Sequence, residues 1–313
     1  MSHNPLIALV TARPRPEINT DHDLPELERA VGEAGGVPEV VYWDEPGVDW
    51  GRFDLAVLRS TWDYVLRVEE FLTWAEHAAS RTTLANPPSV LRWNSDKRYL
   101  GELAERGVPA VPTRYMAPGD PVELPAGHEY VVKPTTGAGA RYAARYRPED
   151  EDEALAQVRR MHAEGLTAMV QPYLRRIDTS GERALVFYGG RLVHAVRKNA
   201  VLEHGTAYDA RKTAHPGLRA WTPTDAELAV AEKALAAVPE AAGTGELLYA
   251  RVDLADDDLG SPQLMELELI EPNLFLRVIP DSLPVVAETL VGAASRTAPR
   301  TGSRANSRTD SAG

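Results

Sequence analysis

Cysteine is missing from this 313-residue chain, which excludes a disulfide framework, a thiolate zinc site and a catalytic thiol. No run of about 18 apolar residues occurs, so no helix is expected to cross a bilayer. The opening MSHNPLIALVTAR has an apolar stretch too short for a secretory core and lacks a cleavage signature. A positive surplus is missing too. Against 46 Asp and Glu stand 34 Lys and Arg, a net charge of −12, which speaks against a nucleic-acid partner. The phosphate-loop pattern GxxxxGK[ST] is also absent. These absences leave the expectation of a cytoplasmic enzyme, 43% hydrophobic and 26% charged, long enough to bury two or three subdomain cores.

The densest chemistry lies in Leu264–Leu276, LMELELIEPNLFL, which crowds Glu266, Glu268, Glu271 and Asn273 together. It reads as a strand, and acids in a buried strand are costly unless something cationic compensates them. Glu271 and Asn273 are two apart and leave one face of an extended chain. Carboxylate and amide oxygens converging there suit Mg²⁺. The plainer alternative is an edge strand whose wet face carries glutamates. Upstream, a strand over Leu247–Leu254 delivers Arg251 and Asp253 to one face. The intervening DDDLGSPQ has the turn formers of a hairpin. Antiparallel pairing lets Asp253, Glu271 and Asn273 ring a cation, with Arg251 beside them as a clamp for an anionic group.

The first ninety residues alternate strand, loop and helix. LIALVT (6–11), a helix from Leu24 to Ala34 closed by two glycines, a strand at Val37–Trp43 and FDLAVL (53–58) predict a small parallel α/β domain. Arg13 and the run Arg59, Ser60, Thr61, Trp62, Asp63, Tyr64 fall at strand ends, where ligands bind in such domains. They are candidates for the wall of a small-substrate pocket. The alternative is that Arg59 pairs with Asp63 while Trp62 and Tyr64 cap the core. Further on, Ser95–Arg106 predicts a helix with Lys97 in its first turn, where the helix dipole disfavours a cation unless it reaches for an anion. YVVKPTTGAGAR (130–141) predicts a strand ending at Lys133 before a loop with Gly137 and Gly139. Their small size lets backbone N–H groups approach phosphate. Gly189-Gly190 predicts a hairpin turn, with Arg197 and Lys198 at its far end and His194 a strand-face residue. Glu203–Gly217 reads as a mobile loop, Thr224–Val238 as a helix, and Ser295 onward as a disordered tail.

In order, Lys97, Lys133 with its glycine loop, Gln171-Pro-Tyr-Leu174, Glu182-Arg183, Arg197-Lys198, Arg251-x-Asp253 and Glu271-x-Asn273 resemble the ATP-grasp superfamily over roughly residues 92–294. The first domain is similar to the one that precedes it in glutathione-synthetase-like and ribosomal-S6-modification-like members. LVTAR, WDEPGVDWGRFDLAVLRSTWDY and ELELIEP further resemble cyclo-ligases of that superfamily that close O-ureido-D-serine to D-cycloserine. The resemblance implies an α/β fold of three parts. These are a parallel N-terminal domain (1–91), a central helix and ATP lid (92–174), and a mixed-sheet C-terminal domain (175–294), before a tail (295–313).

The resemblance also implies an ADP-forming carbon–nitrogen ligase using ATP and Mg²⁺ on a small amino acid, with oligomeric state open, a homodimer included. Lys97 and Lys133 are implied to hold ATP phosphates, and Thr135–Arg141, with Thr136, Gly137 and Gly139, to close over them. Gln171, Tyr173 and Leu174 would form the adenine hinge, and Glu182 or Asp178 would take the ribose. Arg183, Arg197 and Lys198 would face phosphates or the activated acyl group. Asp253, Glu271 and Asn273 would bind Mg²⁺, with Glu268 auxiliary or replacing Glu271, and Arg251 would stabilise charge at the reacting centre. The long DDDLGSPQ connection and Pro272 inside the E-x-N pair depart from the family pattern. Ligation of two separate amino acids and nucleotide binding without turnover are the rival implications. Lys133→Ala and Asp253→Asn are each expected to nearly abolish ADP formation with the fold intact.

Overall fold

The computed structural model describes residues 4–15, 20–137, 142–200, 202, 217–239 and 247–297. Four parallel strands, β1 (Leu6–Thr11), β2 (Val37–Tyr42), β3 (Leu55–Ser60) and β4 (Leu84–Ala85), form the first sheet in the order β2-β1-β3-β4. Only β1 and β3 are flanked on both sides, which is why LIALVT and LAVLRS are nearly continuous apolar runs. Helices α1 (Leu24–Glu33) and α2 (Val68–Ala79) place Leu27, Val31, Phe71 and Ala75 in the same core.

Two short helices follow, α3 (Pro88–Asn94) and α4 (Tyr99–Glu105). The helix expected over Ser95–Arg106 starts only at Tyr99, and Lys97 sits in the corner between α3 and α4. Asn94 is drawn out of any capping role. It donates to the Leu267 carbonyl at 2.8 Å and accepts from the Leu269 N–H at 2.9 Å.

The second sheet is antiparallel, β5 (Arg114–Met116), β6 (Tyr130–Pro134), β7 (Ala144–Tyr146) and β8 (Ala168–Pro172) in the order β5-β8-β6-β7. Helix α5 (Glu151–Ala163) covers it through Ala154, Val158 and Met161. After the single turn α6 (Ile177–Ser180), the third sheet assembles from β9 (Glu182–Tyr188), β10 (Arg191–Lys198), β11 (Arg219–Trp221), β12 (Tyr249–Asp256) and β13 (Pro262–Glu268). Its order is β11-β10-β9-β12-β13, antiparallel throughout.

Gly189 and Gly190, at φ 54° and 73°, turn β9 into β10 as the sequence implies. Helix α7 (Asp225–Ala236) starts at Thr224, whose hydroxyl accepts from the Glu227 N–H at 3.3 Å while the Glu227 carboxylate reaches back to the Thr224 N–H at 2.8 Å. The expected loop at 203–217 and most of the tail lie outside the described residues.

Helix α8 (Leu283–Thr297) is the largest departure. From the sequence, the C-terminal part is expected to run through residue 294 and a tail to begin at Ser295. The chain instead remains helical to Thr297 and returns to the first sheet, where Val286, Ala287, Leu290 and Ala294 join the core of β1 and β3. Tyr188, Tyr249, Ile270 and Leu274 enter that core too, so one face of the third sheet abuts the N-terminal domain.

His194 lies on β10, buried, with Nε2 at 2.7 Å from the Leu274 carbonyl and Nδ1 without a partner among the described residues. A carbonyl only accepts, so Nε2 carries the proton. Burial is the main cause that lowers this imidazole's pKa. The unfolded chain then binds the proton more readily, so His194 contributes stability above about pH 6.5 that is lost as pH falls. The melting temperature is expected to drop on the acid side of pH 6.5, less so in His194→Gln. Equal acid-side losses in the two proteins would contradict the assignment.

Candidate active site

Pairing register decides which side chains meet. Across the third sheet Lys198 stands opposite Glu182, Asp253 opposite both Ala184 and Glu266, and Arg251 opposite both Val186 and Glu268. Residues opposite one another share a face, so Glu182, Lys198, Arg251, Asp253, Glu266 and Glu268 gather on one side. Arg183 and Arg197 are opposite each other on the other side. The expectation that they face phosphates together with Lys198 is corrected by this parity: adjacent residues on a strand leave opposite faces.

On the shared face the charges interlock. Arg251 grips Asp253 with two parallel hydrogen bonds, Nε to Oδ1 at 2.8 Å and Nη2 to Oδ2 at 2.9 Å. It also contacts Glu268 and donates to the Asn273 carbonyl at 3.1 Å. Lys198 Nζ lies 2.6 Å from Asp253 Oδ2 and 3.0 Å from Glu182 Oε2. Burial pushes the Asp253 carboxyl up, but Arg251 and Lys198 outweigh it and hold it far below the usual range. Burial lowers the Lys198 ammonium, and Asp253 and Glu182 reverse that.

Lys97 reaches the cluster from its corner. Its backbone N–H donates to the Thr135 carbonyl at 2.8 Å, which ties the corner to the end of β6. The Tyr99 hydroxyl accepts from the Leu267 N–H at 2.9 Å, and with Asn94 this pins the corner to β13. Lys97 Nζ then donates to the Gly137 carbonyl at 2.6 Å and pairs with Glu266 at 3.1 Å. Burial pushes Glu266 up, and Lys97 and Lys133 pull it below its usual value. The Lys133 side chain comes from β6, half-buried, with no hydrogen-bond or ion-pair partner among the described residues. Burial lowers its pKa, and Glu266 offsets this only in part.

Glu266 is the residue that sequence reasoning left out of the site. The signal was there, since Glu266 and Glu268 alternate within β13 as Arg251 and Asp253 do within β12. The expected pair Glu271 and Asn273 lies beyond the strand, which ends at Glu268. Pro272, which has no N–H for a ladder, falls between them. Asn273 Oδ1 accepts from the Phe275 N–H at 3.0 Å, so its amide closes a local turn. Glu271 is 9% exposed, and its carboxyl has no hydrogen-bond or ion-pair partner among the described residues. Burial and then Glu268 raise its pKa well above the carboxylate range. Burial, Asp253 and Glu266 likewise push Glu268 up to about 7, against the pull of Arg251.

No group of three His, Asp or Glu converges on a metal position among the described residues; Glu182, Asp253, Glu266 and Glu268 are each turned toward a cation. The donor set nonetheless fits Mg²⁺. Asp253, Glu266, Glu268, Glu271 and Glu182 outnumber Lys97, Lys133, Lys198 and Arg251. A hard divalent cation satisfies surplus carboxylates.

At the hinge, Gln171 donates to Thr113 Oγ1 at 2.8 Å. The Tyr173 hydroxyl donates to Asp178 at 2.5 Å beneath the Arg145 guanidinium, and Leu174 is buried beside Val111 and Ile177. Thr136 and Gly137 end the described part of the loop, and Gly139 lies outside the described residues.

In the first domain Arg59 is 1% exposed and pairs with Asp21 at 3.2 Å. Its Nε and the buried Thr61 hydroxyl have no partner among the described residues. Ser60 Oγ meets Thr11 Oγ1 at 2.7 Å. Asp63 does not pair with Arg59; it accepts from Trp43 Nε1 at 2.8 Å and from Arg67 at 2.6 Å, which makes it a structural acid. Arg13 turns away to Asp44 and Glu45 and is not brought to Arg59. Trp62 Nε1 donates to the Glu271 carbonyl at 3.1 Å, and the Asp23 carboxylate accepts from the N–H groups of Leu276 and Arg277 at 2.9 and 3.2 Å. The first domain thereby holds the segment after β13 against the charged face.

Residues 7–86 match the family model described as the N-terminal domain of D-cycloserine synthetase DcsG. The chain is 35% identical to the cycloserine biosynthesis protein DcsG of Streptomyces lavendulae, over 91% of this chain and 97% of that protein. The crystal structure of D-cycloserine synthetase DcsG superposes with a TM-score of 0.81 at 34% identity, covering 92% of this chain and 99% of the other. The ATP-grasp ligase PsnB, solved with a variant of its minimal precursor, Mg and ADP, shares the fold at 16% identity. Its TM-score is 0.60, with 92% of this chain and 98% of that chain covered.

Proposed function

The chain belongs to the DcsG family of ATP-grasp ligases, and on that premise we propose that it closes O-ureido-D-serine to D-cycloserine with ATP and Mg²⁺. It is an ATP-dependent ligase with the fold of that superfamily, a parallel α/β sheet followed by two antiparallel sheets. The observation that carries the finer reading is the charged face of the third sheet, roofed by Lys97 and Lys133 and closed at one end by the N-terminal domain.

Asp253, Glu266 and Glu268 are the residues we assign to Mg²⁺, with Glu271 nearby. When bound, the metal supplies charge neutralisation between these carboxylates and the triphosphate. Lys97 and Lys133 hold phosphate oxygens, the segment Gln171–Leu174 takes the adenine, and Asp178 or Glu182 takes the ribose. The substrate carboxylate attacks the γ-phosphorus, and ADP leaves. The ureido nitrogen bonded to oxygen in the same molecule then attacks the acyl carbon, expels phosphate and gives up its proton. Water afterwards cleaves the carbamoyl group from that nitrogen, released as carbon dioxide and ammonia, to leave D-cycloserine. Arg251 and Lys198 offset the charge that develops on oxygen. Because both reacting ends belong to one molecule, orienting them is the main task. Arg59 and Asp21 offer opposite charges to a substrate carboxylate and ammonium, and Thr61 a hydroxyl.

Buried walls on both domains keep water from the acyl phosphate, and an ATP- and Mg²⁺-dependent reaction suits the cytoplasm. The test is ADP release with O-ureido-D-serine alone, with D-alanine, and with a mixed amino-acid pool, each with product mass. Release with O-ureido-D-serine alone and a product of cycloserine mass is expected. Strict dependence on a second amine would replace cyclisation with intermolecular ligation.

A further inference from the structure

Three arginines stand in register across the face of the third sheet opposite the charged cluster, the face that α7 packs against. Arg219 on β11 is opposite Arg197 on β10, and Arg197 is opposite Arg183 on β9. Like charges directly opposite on neighbouring strands repel, so such a row needs compensation. Arg183 has it, from Glu227 at 2.5 Å and from Asp256. Arg197 does not. It donates to the Thr179 carbonyl at 2.6 Å, to the Ser180 carbonyl and to Asn199 Oδ1 at 3.3 Å, all uncharged. Arg219 is exposed and has no acid partner among the described residues. Burial, then Arg219 and Arg183, lower the Arg197 guanidinium's pKa, as crowded cations do. All three line one cleft of about 310 Å³, with Trp221, Thr179 and Thr224 on its walls. Arg197 makes one hydrogen bond from each nitrogen, all to uncharged oxygens, and so keeps a second N–H on each terminal nitrogen; beside the exposed Arg219 these forks match the oxygens of a phosphate group.

We propose that this cleft is a second anion site, separate from the ligase centre, that binds a phosphate group. It stands on the arginine register and not on the nucleotide assignment. Its location bears on the reaction, because Arg183 and Arg197 adjoin Glu182 and Lys198 on the same two strands and face the other way. The phosphate group comes either free in solution or on a nucleotide.

The test titrates inorganic phosphate into the full chain by calorimetry, with Mg²⁺ and a non-hydrolysable ATP analogue present throughout, and repeats it with ADP. Arg219→Gln, an exposed change, is compared with the wild type. Phosphate is expected to bind the wild type and to lose roughly tenfold or more in affinity in Arg219→Gln, the worth of about one charge-assisted hydrogen bond. If ADP shows the same dependence on Arg219, the group is carried on a nucleotide; if only phosphate does, it is free phosphate. Arg219→Glu, which gives Arg197 an internal carboxylate, is expected to melt above the wild type in phosphate-free buffer. No phosphate binding by the wild type, equal affinity in Arg219→Gln, or a lower melting temperature in Arg219→Glu would each overturn the proposal.

Discussion

Asp253→Asn is expected to cost the enzyme twice, in ADP formation and in stability. Asp253 is 3% exposed and neutralises two cations at once, Arg251 through both carboxylate oxygens and Lys198 at 2.6 Å. An amide keeps the shape and removes the charge, so that two buried cations lose the carboxylate between them and keep only Glu268 and Glu182. Stranding a buried partner in this way costs about 3–5 kcal/mol, and loss of an electrostatic group at a reacting centre costs roughly 10²–10³-fold in rate. The sequence alone suggested that this substitution spares the fold; the doubly paired carboxylate argues otherwise. Urea unfolding beside ADP release checks both parts. Adding Lys198→Met to the variant removes one stranded cation and should recover part of the stability with none of the activity. An Asp253→Asn protein as stable as the wild type would contradict the pairing.

Lys133→Met should separate the same two quantities. The Lys133 ammonium has no partner among the described residues, and burial lowers its pKa. In the absence of ligand it is a desolvated charge held for something else, and methionine keeps most of its stem while deleting that charge. ADP formation is expected to fall roughly 10²–10³-fold, with a melting temperature equal to or above that of the wild type. A marked fall in melting temperature would make Lys133 a structural residue and remove it from the phosphate site.

Which parts of this were readable in advance follows from what each depends on. The buried runs at β1 and β3, the Gly189-Gly190 turn and the Arg251-x-Asp253 alternation are local, and local sterics and period-two patterning fix them. Parity is not local. Glu182 and Arg183 are neighbours, as are Arg197 and Lys198, and only the pairing of β9 with β12 decides which of each faces Asp253. Glu271 and Asn273 are expected on one strand face and lie beyond the strand for a related reason. The β13 ladder ends at Glu268 and Pro272 has no N–H to extend it, so the E-x-N spacing that follows is not strand spacing, although Leu269 and Ile270 still alternate between two cores. The Lys97 corner was hidden because SDKRYLGEL reads as one helix until the long-range bonds of Asn94 and Tyr99 to β13 are known. Helix α8 took its place from the first sheet, far away in sequence.

Binding of a non-hydrolysable ATP analogue to the wild-type chain, with Mg²⁺ and then with EDTA, bears most directly on the charged face as a nucleotide site. Glu182, Asp253, Glu266 and Glu268 already engage Lys198, Arg251 and Lys97, so a bare triphosphate finds few free cations there and a magnesium-bound one should be accepted. Tight binding with Mg²⁺, lost in EDTA and weakened in Glu266→Gln, is the expected result. Equal affinity with and without the metal would contradict it.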